Sequence, residues 1–138
     1  MDSPPWHNPP PPTRVLMITD NTRLRETLTR GLNRHKFEVL AAANQAEAEA
    51  LTRAPASQPA KVHVLLLDVP DGAASVAART LNGILASGLD VPVVAIAAPG
   101  DHGVLEMSPA TRKATVLIKP IDLAELAAEL ARLGGRER

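Results

Sequence analysis

The chain has 138 residues, enough for one domain with its own core, and 45% hydrophobic against 22% charged content marks a globular body. Its 15 basic and 15 acidic residues cancel, so it lacks the broad positive field of a nucleic-acid binder. With no cysteine it has no disulfide, thiolate nucleophile or zinc–thiolate site, and one Trp, one Phe and no Tyr leave almost no stacking platform for bases or flavins. No apolar run approaches the ~20 residues that span a bilayer. No charged segment followed by an apolar one opens the chain, so the cytoplasm is the expected compartment.

Residues 1–13 (MDSPPWHNPPPPT) hold six prolines and read as an extended, polyproline-like tail, with Trp6 its one aromatic anchor. Arg14 to Thr19 (RVLMIT) is a short apolar run and hence a buried strand. Asp20-Asn21-Thr22 then supplies capping chemistry for a helix whose Leu24, Leu28, Gly31 and Leu32 fall on one stripe. Arg23, Arg30 and Arg34 occupy its other face, and with Arg14, Arg25 and Lys36 they gather basic charge early in the chain. Glu47, Glu49, Glu125 and Glu129 lie on later segments.

Phe37 to Ala42 predicts a second strand. Asn44 and Glu47 form an N-x-x-E capping box before a helix carrying Ala46, Ala50, Leu51 and Ala54, and Pro55 to Ala60 is a loop. The run VHVLLLDVP, Val62 to Pro70, is the most informative stretch. Its consecutive Val and Leu suit a strand buried on both faces, and it stops on a carboxylate, Asp68, before Pro70 and Gly72 break it. Ala73 to Ser87 follows as an alanine-rich helix with Ala77, Leu81, Ile84 and Leu85 inward and Gly88 as its stop. Val91 to Ala98 is a fourth strand, and the segment from Pro99 to Ser108 is the least regular helix. Ala114 to Ile118 is the fifth strand, ending in Lys119-Pro120. An Asp122–Glu125 capping box then opens a helix with Leu123, Leu126, Ala127, Leu130 and Leu133 on one side. The domain is thus expected over 14–133, with a short charged end over 134–138.

Strands alternating with helices give a (βα)₅ flavodoxin-like α/β fold, a parallel sheet of order 2-1-3-4-5 with helices on both faces. That order sets the first and third strands side by side, bringing Thr19 and Asp20 next to Asp68, with Lys119 on the same sheet edge. Two carboxylates there suit a hard divalent cation, most plausibly Mg²⁺, and a lysine beside them offsets a phosphoryl charge. The chemistry this favours is phosphoryl transfer to a carboxylate. His63 sits inside a strand and reads as a packed residue, and His7, His35 and His102 have no metal-site spacing.

VLMITDN, LLLDVP and LIKP, each closing a buried strand in this order, resemble the receiver domain of two-component response regulators. The resemblance implies Asp68 as phospho-acceptor and Lys119 as the phosphoryl-contacting lysine, with Pro120 after it through a cis peptide. It implies Asp20, Asp68 and the backbone carbonyl of Pro70 as ligands of Mg²⁺. It also implies a histidine kinase or phosphotransfer protein as donor and a downstream protein as target, with neither DNA nor membrane as partner. Self-phosphorylation and slow autodephosphorylation are the only catalysis it implies.

The pattern is incomplete. Thr19 stands where the family has a first acid, Ala97 where a Ser or Thr hydroxyl meets the phosphoryl group, and Val116 where an aromatic ring switches. Pro70 and Gly72 also come early in the loop after Asp68. These departures predict weak Mg²⁺ binding and no ordinary switch. They keep open a second function class, a pseudo-receiver that binds partners or dimerises without phosphate. A flavin or nucleotide enzyme on this fold would need a glycine-rich phosphate loop and aromatic walls, and the chain has neither.

Overall fold

The computed structural model describes residues 12–52, 62–107 and 114–134. The proline-rich stretch before residue 12, the loop at 55–60, Ala54, Ser108 and the charged end after Gly134 lie outside the described residues.

In chain order the elements are β1 (Arg14–Ile18), α1 (Thr22–Arg34), β2 (Glu38–Ala42), α2 (Gln45–Thr52), β3 (Val64–Asp68), α3 (Ala74–Ala86), β4 (Val93–Ala97), α4 (His102–Met107), β5 (Thr115–Ile118) and α5 (Leu123–Leu133). A single 3-10 turn, Pro99–Asp101, precedes α4. The five strands form one parallel sheet in the order β2-β1-β3-β4-β5. This is the expected flavodoxin-like topology, with β3 in its centre.

The central position explains the composition of β3, all five of whose residues are buried. Side chains alternate across a strand, so Leu65 and Leu67 feed the core under α2, α3 and α4. Val64 and Leu66 feed the opposite core under α1 and α5. Each fully buried leucine contributes roughly 1.5–3 kcal/mol of transfer free energy, so a polar residue in this run would break the layer that its side chain feeds.

The helices start where their caps predict. The Asn21 side chain accepts from the Leu24 amide at 3.1 Å, so Asn21 rather than Asp20 is the N-cap of α1. Asn44 accepts from the Glu47 amide at 2.9 Å, and Glu47 returns a bond to the Ala43 amide at 2.9 Å. Asp122 accepts from the amides of Ala124 and Glu125. In α2 the buried residue is Ala48, with Leu51 half-buried, whereas Ala46 and Ala50 face solvent. In α3 the buried set includes Ala74 and Ala78, while Leu85 is only half-buried. The helix there runs Ala74–Ala86, and Gly88 follows with φ +110°, a conformation that favours glycine.

Gly31 is a packing position. A Cβ built on it would lie 2.6 Å from Cδ2 of Leu123, so the missing side chain is what lets α1 receive Leu123 at the start of α5. That contact seats α5 and the β5–α5 turn, which carries Lys119 and a cis Lys119–Pro120 peptide. No described helix is long and apolar enough to cross a membrane.

Candidate functional site at the carboxyl edge of the sheet

Parallel pairing fixes the placement of the site. The β1–β3 register pairs Ile18 with Leu67, so the next residues, Thr19 and Asp68, leave the sheet together. The β4–β5 register pairs Ala97 with Ile118, which delivers Lys119 one step beyond. Backbone bonds extend the order past the strand ends: Val69 N–H donates to the Ile96 carbonyl and Lys119 N–H to the Ala97 carbonyl, both at 2.9 Å.

Asp68 is 8% exposed. Its Oδ2 accepts a hydrogen bond from the Thr19 hydroxyl at 2.8 Å, and its Oδ1 lies 3.2 Å from Nζ of Lys119. Oδ1 is fully buried and makes no hydrogen bond of good geometry, so the lysine contact is an ion pair held by charge rather than by alignment. One N–H of Lys119 is used elsewhere: Nζ donates to the Val69 carbonyl at 2.9 Å and sits 3.8 Å from the exposed carboxylate of Asp71.

Thr19 is more than a lost acid. Its hydroxyl donates to Asp68 and accepts from the Asn21 amide at 3.1 Å. Its carbonyl accepts from the Arg25 guanidinium at 3.2 Å and its amide donates to the Ala42 carbonyl at 3.0 Å. Where a carboxylate would repel Asp68, a neutral donor stabilises it. Ala97 is fully buried at the end of β4 and offers only its backbone, and Val116 is half-buried against the α3-side core.

Asp20, Asp68 and Pro70 share a cleft of about 390 Å³ with Thr19, and Ala73, Val76 and Ala77 of the α3 region form its far wall. Asp20 is exposed and makes no hydrogen bond or ion pair among the described residues. The Pro70 carbonyl accepts from the Ala73 amide at 2.9 Å in a tight turn with Gly72 at φ +79°, which leaves one of its lone pairs free. No group of three or more His, Cys, Asp or Glu that could hold a metal occurs among the described residues. Two carboxylates and one carbonyl fit Mg²⁺, an ion that keeps several waters and binds through one or two carboxylates, but they describe a weak site.

Residues outside the expected set also belong here. Asp101, 7% exposed, accepts from the Gly72 amide at 3.1 Å through Oδ2 and ties the loop after Asp68 to the turn before α4. In the sequence it is one acid in a Pro-Gly-Asp loop, with nothing to mark it. His63 is structural, since its Nδ1 accepts from the Arg14 amide at 2.9 Å at the far edge of the sheet.

No family model and no curated protein matches the chain in sequence. Solved structures match it in fold. A response regulator receiver domain from Clostridium thermocellum superposes with a TM-score of 0.71 at 18% identity, covering 91% of this chain and 96% of that one. A response regulator from Thermotoga maritima also gives 0.71 at 18% identity, covering 90% and 98% of the two chains. The chain has the receiver fold. A sensor protein from Polaromonas sp. JS666 is 25% identical, with a TM-score of 0.66 over 90% of this chain and 97% of that chain. A two-component response regulator from Clostridium difficile gives a TM-score of 0.68 at 18% identity over 90% of this chain and 97% of that chain.

Proposed function

We propose that the protein is a signalling receiver that accepts a phosphoryl group on Asp68 from a phosphohistidine of a histidine kinase or phosphotransfer protein. It then acts through contacts with a downstream protein. The observation that carries this reading is the Asp68 carboxylate at the end of the central strand, its Oδ1 without a hydrogen bond and 3.2 Å from the Lys119 ammonium. In the transfer, one oxygen of Asp68 forms the new P–O bond while the donor's P–N bond breaks. The electron pair stays on the imidazole nitrogen, and the ring takes a proton to leave as neutral histidine. Lys119 neutralises charge on the transferring group, for which it must give up part of its hold on Val69 or Asp71. Asp20, Asp68 and the Pro70 carbonyl would hold Mg²⁺, which when bound supplies further charge neutralisation of the phosphoryl oxygens.

A second reading rests on Thr19. Its hydroxyl already satisfies Oδ2 of Asp68 without metal, and Ala97 has no hydroxyl to hold a phosphoryl oxygen. On this reading the protein is a phosphate-independent module that binds a partner or a second copy of itself.

Intact mass measurement after incubation with Mg²⁺ and acetyl phosphate separates the two. Phosphoryl acceptance predicts a single phosphoryl adduct, absent from Asp68→Asn. A folded wild-type protein that stays unmodified would exclude it and leave the second reading.

A further inference from the structure

Asp101 is the one buried carboxylate among the described residues besides Asp68, and the phosphoryl-acceptor reading gives it no task. Burying a carboxylate costs desolvation free energy unless its bonds return it. Asp101 makes one side-chain hydrogen bond, to the Gly72 amide at 3.1 Å, and no ion pair among the described residues. Gly72 and Asp101 stand 29 residues apart, one in the loop that follows Asp68 and the other in the turn that opens α4.

The same loop is gripped from its other side by Lys119, through the Val69 carbonyl at 2.9 Å and the Asp71 carboxylate at 3.8 Å. New negative charge at Asp68 would draw the ammonium toward it at the expense of both holds on the loop from Val69 to Ala73. Ala97 carries no hydroxyl to report that event along β4. The Asp101–Gly72 bond is then the side-chain tie that joins the loop to α4. The helix it reaches is poised to respond: α4 has six residues and buries only Leu105, while Val104 and Met107 are exposed.

We propose that Asp101 is a positioning residue that couples the charge state of the Asp68 cleft to α4, in place of a hydroxyl at position 97. This deepens the phosphoryl-acceptor reading, but its test can be read without phosphate. Amide chemical shifts of His102 to Met107 are compared in wild type, Asp101→Ala and Asp101→Asn, each with and without Mg²⁺ and acetyl phosphate. Each is also compared in an Asp68→Asn background, which changes the cleft charge with no chemistry. With Asp101 or Asn at the position, whose side-chain oxygen still accepts from Gly72, the α4 amides move with the cleft. In Asp101→Ala the amides of Thr19 and Val69 still move and those of α4 do not. Equal α4 shifts with and without the side-chain oxygen would overturn the coupling. If acetyl phosphate leaves the wild-type cleft silent while Asp68→Asn shifts α4 only through residue 101, the coupling stands and phosphoryl acceptance falls.

Discussion

At the scale of single residues, the decisive contact is the Thr19 hydroxyl on Oδ2 of Asp68. Thr19→Val keeps the shape and removes the donor, leaving a buried carboxylate oxygen short of a partner. A loss of ~1–3 kcal/mol is expected, read from the urea midpoint at constant slope. In the Asp68→Asn background, where the buried group is neutral, the same substitution should cost less. Thr19→Asp runs the other way: it adds a third carboxylate and one more negative charge, so Mg²⁺ affinity rises while the metal-free protein loses stability. The sequence shows a threonine where an acid is expected, but not the bond that its hydroxyl makes. The identity of a residue says which bonds it can make, and only the parallel register shows that its hydroxyl falls beside Asp68. Asp101 was illegible for the same reason, because its partner is a backbone amide in a distant loop rather than another side chain with a pattern.

Among the elements, the most exacting joint is α1 against α5. Gly31 has no room for a branched side chain below Leu123, so Gly31→Val should cost about 1–3 kcal/mol by overpacking and shift the turn that carries Lys119. Thermal or urea unfolding measures the first effect. Helix periodicity places Gly31 on the apolar stripe of α1, and the structure shows that it is the contact that positions α5. In α2 the alanines carry no amphipathic signal, because alanine is small enough to sit on either face: Ala48 is buried while Ala46 and Ala50 face solvent. In α5 the pair Glu129–Arg132 offers a test of pH. A hydrogen bond from Arg132, helped by its charge, holds the Glu129 carboxyl below its ordinary value of 4.5. A depressed carboxylate contributes stability that is complete above 4.5 and is lost as pH falls through the folded value. The pair is solvent-exposed, so Arg132→Ala should cost only ~0.2–0.5 kcal/mol near neutral pH. That difference should vanish in urea titrations well below pH 4.5.

For the whole molecule, alternating apolar runs and helical stripes were enough to reach the strand order, because a right-handed parallel sheet leaves few solutions. The same order brings Asp20, Asp68 and Lys119 to one edge, so their juxtaposition is legible as well. The working state of the site is not, since that depends on which oxygen is bonded and which is free. The tryptic peptide Val62–Arg79 makes the question accessible, because Asp68 and Asp71 are its only side-chain carboxylates. After treatment with Mg²⁺ and acetyl phosphate, borohydride reduction converts an aspartyl phosphate to homoserine, which fragment masses assign to one position. The account predicts homoserine at position 68 and aspartate at 71. Label at position 71, or none in this peptide from a folded protein, would contradict it.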